Sequence, residues 1–369
     1  MRIDNPTKEK LKEYNTNLLK YIESNYSLFQ TLYLDLGVKV VRLLCYSEEF
    51  IPLIQKQLTY TLCPESKKFD ATIILWKEKN IKLVYRKIMP ENLRLRVELL
   101  AARNNPVDLK VFRDNFSLTK PLLSVEGWHN IINSYNQETE THFYGVENLE
   151  PEEFIKEGHI FVQILNNILK TENTALVHGA CIGLDNNGIL LCARGQRGKS
   201  TLAVLSMTEG FEYVSDDYLT LEKYGNSLLA HPIYSIITLS PRMYNELYDR
   251  LEGCRFISNN ARKDKYVINI SKFHNQFKKK YPIKMCMFPE IVTDKEPSIK
   301  KCSQQEKGRA ITHLVHSTIF QMNDRLDLKT VKKLINMVKD LNFYKICLCN
   351  NIHKNTKCLK DFLREYKNG

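Results

Sequence analysis

The chain has 369 residues, 43% hydrophobic and 26% charged. That is ordinary globular usage, so wholly disordered and collagen-like chains are excluded and two or three domains are expected. Lys and Arg total 54 against 42 Asp and Glu, a net charge of +12, which suits a phosphate-bearing partner without choosing among nucleotide, nucleic acid and anionic surface. Ten cysteines are scattered, several inside apolar runs such as Leu190-Leu191-Cys192, where free cysteine serves as a small hydrophobe. No apolar stretch follows Met1-Arg2-Ile3-Asp4, and no run of about 18 apolar residues occurs. Neither a secretory signal nor a membrane span is expected, and a cytoplasmic protein with reduced thiols is the economical reading.

In chain order, Leu11, Tyr14, Leu18, Leu19 and Ile22 fall near a 3.6-residue period and predict an amphipathic helix over the first 25 or so residues. Short β-type runs follow at 38–44 and 71–76, with a helix candidate at 49–62 between them. Residues 97–108 and 110–123 have mixed character, and Gln137-Glu138-Thr139-Glu140-Thr141 is a polar connector. A helix is predicted over 148–167, its start marked by Pro151, Glu152 and Glu153, acidic residues that suit a helix N-terminus. Residues 175–184 read as one strand, followed by a turn at Asp185-Asn186-Asn187-Gly188, whose Asn-Gly pair signals a hairpin. The return strand runs to Cys192. A glycine-bearing loop, a helix and further strands come next. From about Pro289 the pattern reads strand, helix, strand, helix, with 356–366 as the last helix. The basic stretch 262–284 is interleaved with apolar residues and reads as solvated strand and turn.

The segment that carries chemistry is Ala193-Arg194-Gly195-Gln196-Arg197-Gly198-Lys199-Ser200-Thr201. It is nearly a Walker A loop, G-x-x-x-x-G-K-[ST], with Ala193 in place of the first glycine. An apolar strand precedes it and a helix follows. In such a loop backbone N–H groups and the helix N-terminus face phosphate oxygens. Gly198 allows close backbone approach, Lys199 places an ammonium on the β/γ oxygens, and Ser200 offers a hydroxyl to Mg²⁺. Asp216 follows Ser200 by 16 residues in Val214-Ser215-Asp216-Asp217, a strand ending in paired carboxylates. One can ligate a metal and the other can accept a proton, with mutual repulsion expected to raise one pKa. His178-Gly179 lies one hairpin upstream, within reach of those acids. Arg242, Arg255 and Lys265 are candidates for substrate or phosphate contacts.

Val177-His178-Gly179-Ala180, then the hairpin, then Gly195 to Ser200, then Val214 to Asp217, resembles the catalytic domain of HPr kinase/phosphorylase. The specific match covers about 174–221. The resemblance implies an α/β (α+β) fold: a mixed-sheet, HPr-kinase-like P-loop domain at 151–369 after a β-rich α+β N-terminal domain at 1–150 serving acceptor recognition or an accessory role. It implies Asp216 as catalytic base, assisted by His178, with Lys199 on the phosphates and with Asp217 and Ser200 serving the metal. Arg194, Gly195, Gln196, Arg197, Gly198, Lys199, Ser200 and Thr201 would hold ATP. The Glu-x-Arg-Gly signature of true HPr kinases is missing between Asp217 and Gly253, where Pro232, Pro241 and Arg242 stand instead. That argues against HPr as acceptor and against the reverse reaction.

The resulting expectation is an ATP- and Mg²⁺-dependent kinase transferring a phosphoryl group to a serine-like hydroxyl of a peptide, protein or small molecule. The alternative is a nucleotide-binding regulatory module without catalysis. No zinc-finger, RNA-recognition or helix-turn-helix pattern supports a nucleic-acid partner, and a homo-oligomer is left open. Cys347, Cys349, His353 and Cys358 superficially evoke a zinc knuckle, but the Cys-x-Cys spacing differs from the usual two to four intervening residues, and a last strand with a last helix accounts for them.

Overall fold

The computed structural model describes residues 5–80, 84, 87–88, 109–113, 121–126, 131–147, 159–193, 197–260, 265–292, 296–321 and 328–368. The chain is a mixed α/β protein that divides into two compact units. The first comprises residues 1–35, 39–55 and 62–154; the second comprises 36–38, 56–61 and 155–369.

In the first unit, helix α1 (Asn5–Asn25) buries Tyr14, Leu18 and Ile22, one residue every four, as its apolar period requires. Strands β1 (Gln30–Asp35) and β2 (Val40–Cys45) form an antiparallel pair. Helix α2 (Ile51–Gln57) is shorter than the predicted helix. Then come β3 (Leu62–Cys63), β4 (Ala71–Glu78), β5 (Leu109–Arg113), β6 (Pro121–Glu126), β7 (Ile131–Asn136) and β8 (Thr141–Glu147). They make an eight-stranded mixed sheet in the order β3-β1-β2-β4-β8-β7-β6-β5. β4 sits between two parallel neighbours and is buried along nearly its whole length, which explains its continuous apolar run. Of the polar connector at 137–141, residues 137–140 form the β7–β8 turn and Thr141 begins β8. The mixed segment at 97–108 and the acidic helix start at 151–153 lie outside the described residues.

The second unit contains α3 (Val162–Leu169), β9 (Thr174–His178), β10 (Ala180–Leu184), β11 (Asn187–Leu191), α4 (Lys199–Thr208), β12 (Glu212–Ser215), β13 (Tyr218–Tyr224) and β14 (Ser227–Pro232). It continues with β15 (Ile236–Leu239), α5 (Pro241–Glu246), β16 (Arg255–Asn260), β17 (Lys265–Asn269), β18 (Tyr281–Ile291), β19 (Ser298–Lys301), α6 (Gln304–Gln321), α7 (Leu328–Val338), β20 (Asn342–Leu348) and α8 (Ile352–Asn368). The principal sheet has the order β12-β10-β11-β18-β14-β13-β9, with β20 on β18 and β19 on β20; β15, β17 and β16 form a separate three-stranded sheet. β11, β18 and β20 run parallel. Alternation along β11 divides the core. Ile189 and Leu191 join the cluster under α4 and α8, whereas Leu190 and Cys192 join the one under α6 and α7. Helices therefore cover both faces of the sheet.

Two local expectations are corrected. The single strand predicted over 175–184 is two strands, β9 and β10, separated at Gly179 and lying on opposite flanks of the sheet order. Both pair with one continuous partner: Tyr218 faces His178 on β13–β9, and Ser215 faces Cys181 on β12–β10. The register does not change across the gap, where the Gly179 N–H donates to the Asp217 carbonyl at 3.1 Å. One antiparallel ladder therefore bends at Gly179 and Asp216-Asp217, and the bend turns the sheet back on itself.

The hairpin also differs in its centre. Asp185 and Asn186 carry positive φ (51° and 63°), and Leu184 pairs with Asn187, so these two make the primed turn. Gly188 lies inside β11. There a Cβ would collide with the Pro282 carbonyl of β18. Gly188→Ala is accordingly expected to cost about 1–3 kcal/mol through overpacking, read as a lower urea midpoint.

Candidate functional site

The site lies where β11 hands over to α4. Cys192 and Ala193 continue the strand in buried positions. Residues 194–196 (Arg194, Gly195 and Gln196), the centre of the predicted loop, lie outside the described residues. Arg197 is exposed. Gly198 has φ 88° and immediately precedes the helix, a left-handed conformation that favours glycine. A Cβ there would also approach Leu348 Cδ1 to 2.7 Å. α4 begins at Lys199, and Ser200 and Thr201 follow half-buried on its first turn.

Lys199 is only 7% exposed, and its Nζ donates to Asp216 Oδ1 at 2.6 Å and to Asp217 Oδ1 at 3.1 Å. Asp216 is 1% exposed, and its second oxygen, Oδ2, has no hydrogen-bond partner among the described residues. Asp217 takes φ 63° at the bend of the ladder. Around it the Tyr218 N–H donates to the Asp216 carbonyl at 2.8 Å and Ser215 Oγ donates to the Tyr218 carbonyl at 2.6 Å. This tight turn fixes both carboxylates toward the start of α4. His178 Nε2 lies 3.5 Å from Asp217 Oδ1, and Thr238 Oγ1 donates to Asp217 Oδ2 at 3.4 Å. The His178 N–H in turn donates to Thr318 Oγ1 on α6 at 3.0 Å.

Burial alone would lower the Lys199 pKa, but the charges and hydrogen bonds of Asp216 and Asp217 hold it above its ordinary value. Burial alone would raise Asp217. The Lys199 charge, then the hydrogen bond and charge of His178, hold it well below the usual carboxylate range. The expected upward push from paired like charges is therefore reversed at Asp217, because an ammonium stands between the acids. The histidine contact also falls on Asp217, not on Asp216 where the family resemblance puts it.

The other candidates do not converge here. Arg242 is exposed and pairs with Glu246 four residues on, at 2.9 Å. Arg255 and Lys265 lie on β16 and β17 of the separate sheet. Cys347 lies in β20 and Cys349 just beyond its end. Sequence reading missed Thr238, Thr318 and a ring cluster behind His178, in which His159 meets Tyr234 at 4.4 Å and Tyr218 at 4.8 Å. Nothing in their local pattern marks them; only the bent ladder and α6 bring them in. Among the described residues no group of three or more His, Cys, Asp or Glu side chains converges as a metal cluster, and no helix is long and apolar enough to cross a membrane.

No protein-family model matches the chain, and no curated protein matches it. Among solved structures it is similar to the Hpr(Ser) kinase/phosphatase from Coxiella burnetii, at a TM-score of 0.30 and 12% identity, over 53% of this chain and 99% of that one. A likeness of that size adds no weight to any residue's role, so the chemistry rests on the site's own geometry.

Two outcomes follow from the cluster of Lys199 and Asp216, both buried, with the half-buried Asp217. Lys199→Met leaves two carboxylates facing each other without a cation and is expected to destabilise the fold by about 3–5 kcal/mol; adding Asp216→Asn to that variant should recover part of the loss in a denaturation series. Because the folded pKa of Asp217 is depressed, its stabilisation is complete at neutral pH and is lost as pH falls through that depressed value. Asp217→Asn should therefore flatten the acid limb of stability against pH.

Proposed function

We propose that the chain is an ATP-dependent phosphotransferase acting on a hydroxyl acceptor, with residues 151–369 as an HPr-kinase-like P-loop domain and residues 1–150 in acceptor recognition. The supporting observation is the lysine that opens α4, buried between two carboxylates directly after a left-handed glycine. A lysine there serves the β/γ-phosphates in nucleotide-binding loops, and here its ammonium already sits beside the acids that phosphoryl transfer requires. Phosphate on the loop from Arg194 to Thr201 competes with Asp216 and Asp217 for that ammonium. As Lys199 turns to phosphate, the acids are uncovered.

Asp216 is the proposed base toward a serine-like hydroxyl, through the Oδ2 atom that has no hydrogen-bond partner among the described residues. His178 acts on the site through Asp217, whose carboxylate it holds in place. The donor types fit magnesium: the Asp217 carboxylate and the Ser200 hydroxyl are hard oxygen ligands of the kind that Mg²⁺ shares with substrate phosphates. Asp217 and Ser200 would hold it, and when bound it supplies charge neutralisation on the phosphates. A cytoplasmic setting fits the ten free thiols.

Wild-type protein incubated with Mg²⁺-ATP and a panel of peptide and small-molecule hydroxyl acceptors should form ADP and a phosphorylated product, detected by mass shift. Lys199→Ala should lose most turnover and nucleotide binding. Asp216→Asn should lose turnover by about 100-fold or more while still binding ATP. Near wild-type turnover in Asp216→Asn would overturn the base assignment. Tight ATP binding without turnover across the panel would favour a nucleotide-binding regulatory module.

A further inference from the structure

A cleft of about 260 Å³ has Ala193 and Arg197, which flank the centre of the loop, in its lining. Ala193, Phe288 and Pro289 give it an apolar part, and Arg197, Arg309 and Lys345 stand among its charged lining. The charges are not equivalent. Lys345 is held by Glu290 at 2.6 Å and lies 3.9 Å from Glu306. Glu306 also accepts from the Ser303 N–H and Oγ, at 2.9 and 3.0 Å, as the capping box of α6. Those two acids are therefore already engaged. Arg197 and Arg309 are exposed, Arg309 within electrostatic reach of Glu306, and with three cationic side chains against two acids, beside His313, the cleft keeps an excess of positive charge next to an apolar wall.

Sheet order gives the cleft its meaning. β12, β11, β18 and β20 all point the same way, because β10 is antiparallel to both β11 and β12. Their carboxyl ends therefore lie along one edge of the sheet, where α/β proteins bind ligands. Along that edge the acid pair follows β12, the loop follows β11, and Phe288 and Pro289 lie toward the end of β18. A nucleotide laid on the loop with its terminal phosphate at Lys199 and the acids must carry its other end toward β18.

We infer that this cleft receives the nucleoside half of the nucleotide, with the base against Phe288 and Pro289 and the two exposed arginines beside the sugar-proximal phosphate. The inference rests on the phosphate-loop reading above, and it assigns residues that no loop motif contains.

The test compares Mg²⁺-ATP with inorganic tripolyphosphate by titration calorimetry. Wild type should bind ATP about 10-fold tighter than tripolyphosphate, and Phe288→Ala should lose that advantage while keeping tripolyphosphate affinity. Should Phe288→Ala fold poorly, the wild-type pair of affinities and photolabelling with 8-azido-ATP still decide the matter. Label is expected on peptides spanning 286–292 or 306–313. Equal wild-type affinity for the two ligands, or label confined to other peptides, overturns the cleft assignment and leaves the loop reading standing. Failure of wild type to bind either ligand overturns the loop reading itself, and the cleft with it.

Discussion

An ammonium buried between two carboxylates is the constraint on which the second unit turns. Lys199 cannot be left in a nearly dry site without counter-charges, and Asp216 cannot be left there without a cation. Satisfying both requires the first turn of α4 and the Ser215–Tyr218 bend to arrive at the same place. Gly198 sets the first arrival by taking a left-handed conformation just before the helix. The in-register ladder across Gly179 sets the second, because β9 and β10 share the strand pair that carries the acids. The same bend delivers His178 to Asp217, so the histidine's place follows from backbone pairing before any side-chain preference applies.

That ladder also explains the sheet. Two consecutive strands occupy opposite flanks of a seven-strand path only if the path curls back toward its start. Curling leaves two faces to cover, and the alternating apolar residues of β11 and β18 supply a core to each, one beneath α4 and α8 and the other beneath α6 and α7. The excess positive charge of the chain takes on a local meaning at these strand ends. Lys199 is neutralised within the protein, whereas Arg197 and Arg309 remain open to solvent there.

Much of the site is legible in the order of the residues alone. The strand–loop–helix around Lys199, the acid pair ending a short strand and the upstream histidine are local patterns, and local patterns survive folding. The split of 175–184 is not legible in this way. Ala175 to Leu184 is apolar nearly throughout, and a glycine within such a run does not announce that the chain changes partners there. The hairpin is signalled but its centre is displaced, because Asn187-Gly188 imitates a primed turn while Asp185 and Asn186 adopt it; the glycine answers to Pro282, almost a hundred residues on. Which acid the histidine meets is likewise out of reach of local pattern, since it depends on an unbroken register across the bend. Thr238 and Thr318 join the site only through tertiary packing and carry no spacing signal.

Helix α6 has a consequence of its own. Arg309 lies near its start, on the cleft, and Thr318 lies nine residues further along, on the backbone of His178. At 1.5 Å per residue those two points are about 14 Å apart along a single rigid rod. A displacement of that rod along its axis would move both points together, so the cleft wall and the backbone of His178 are mechanically tied.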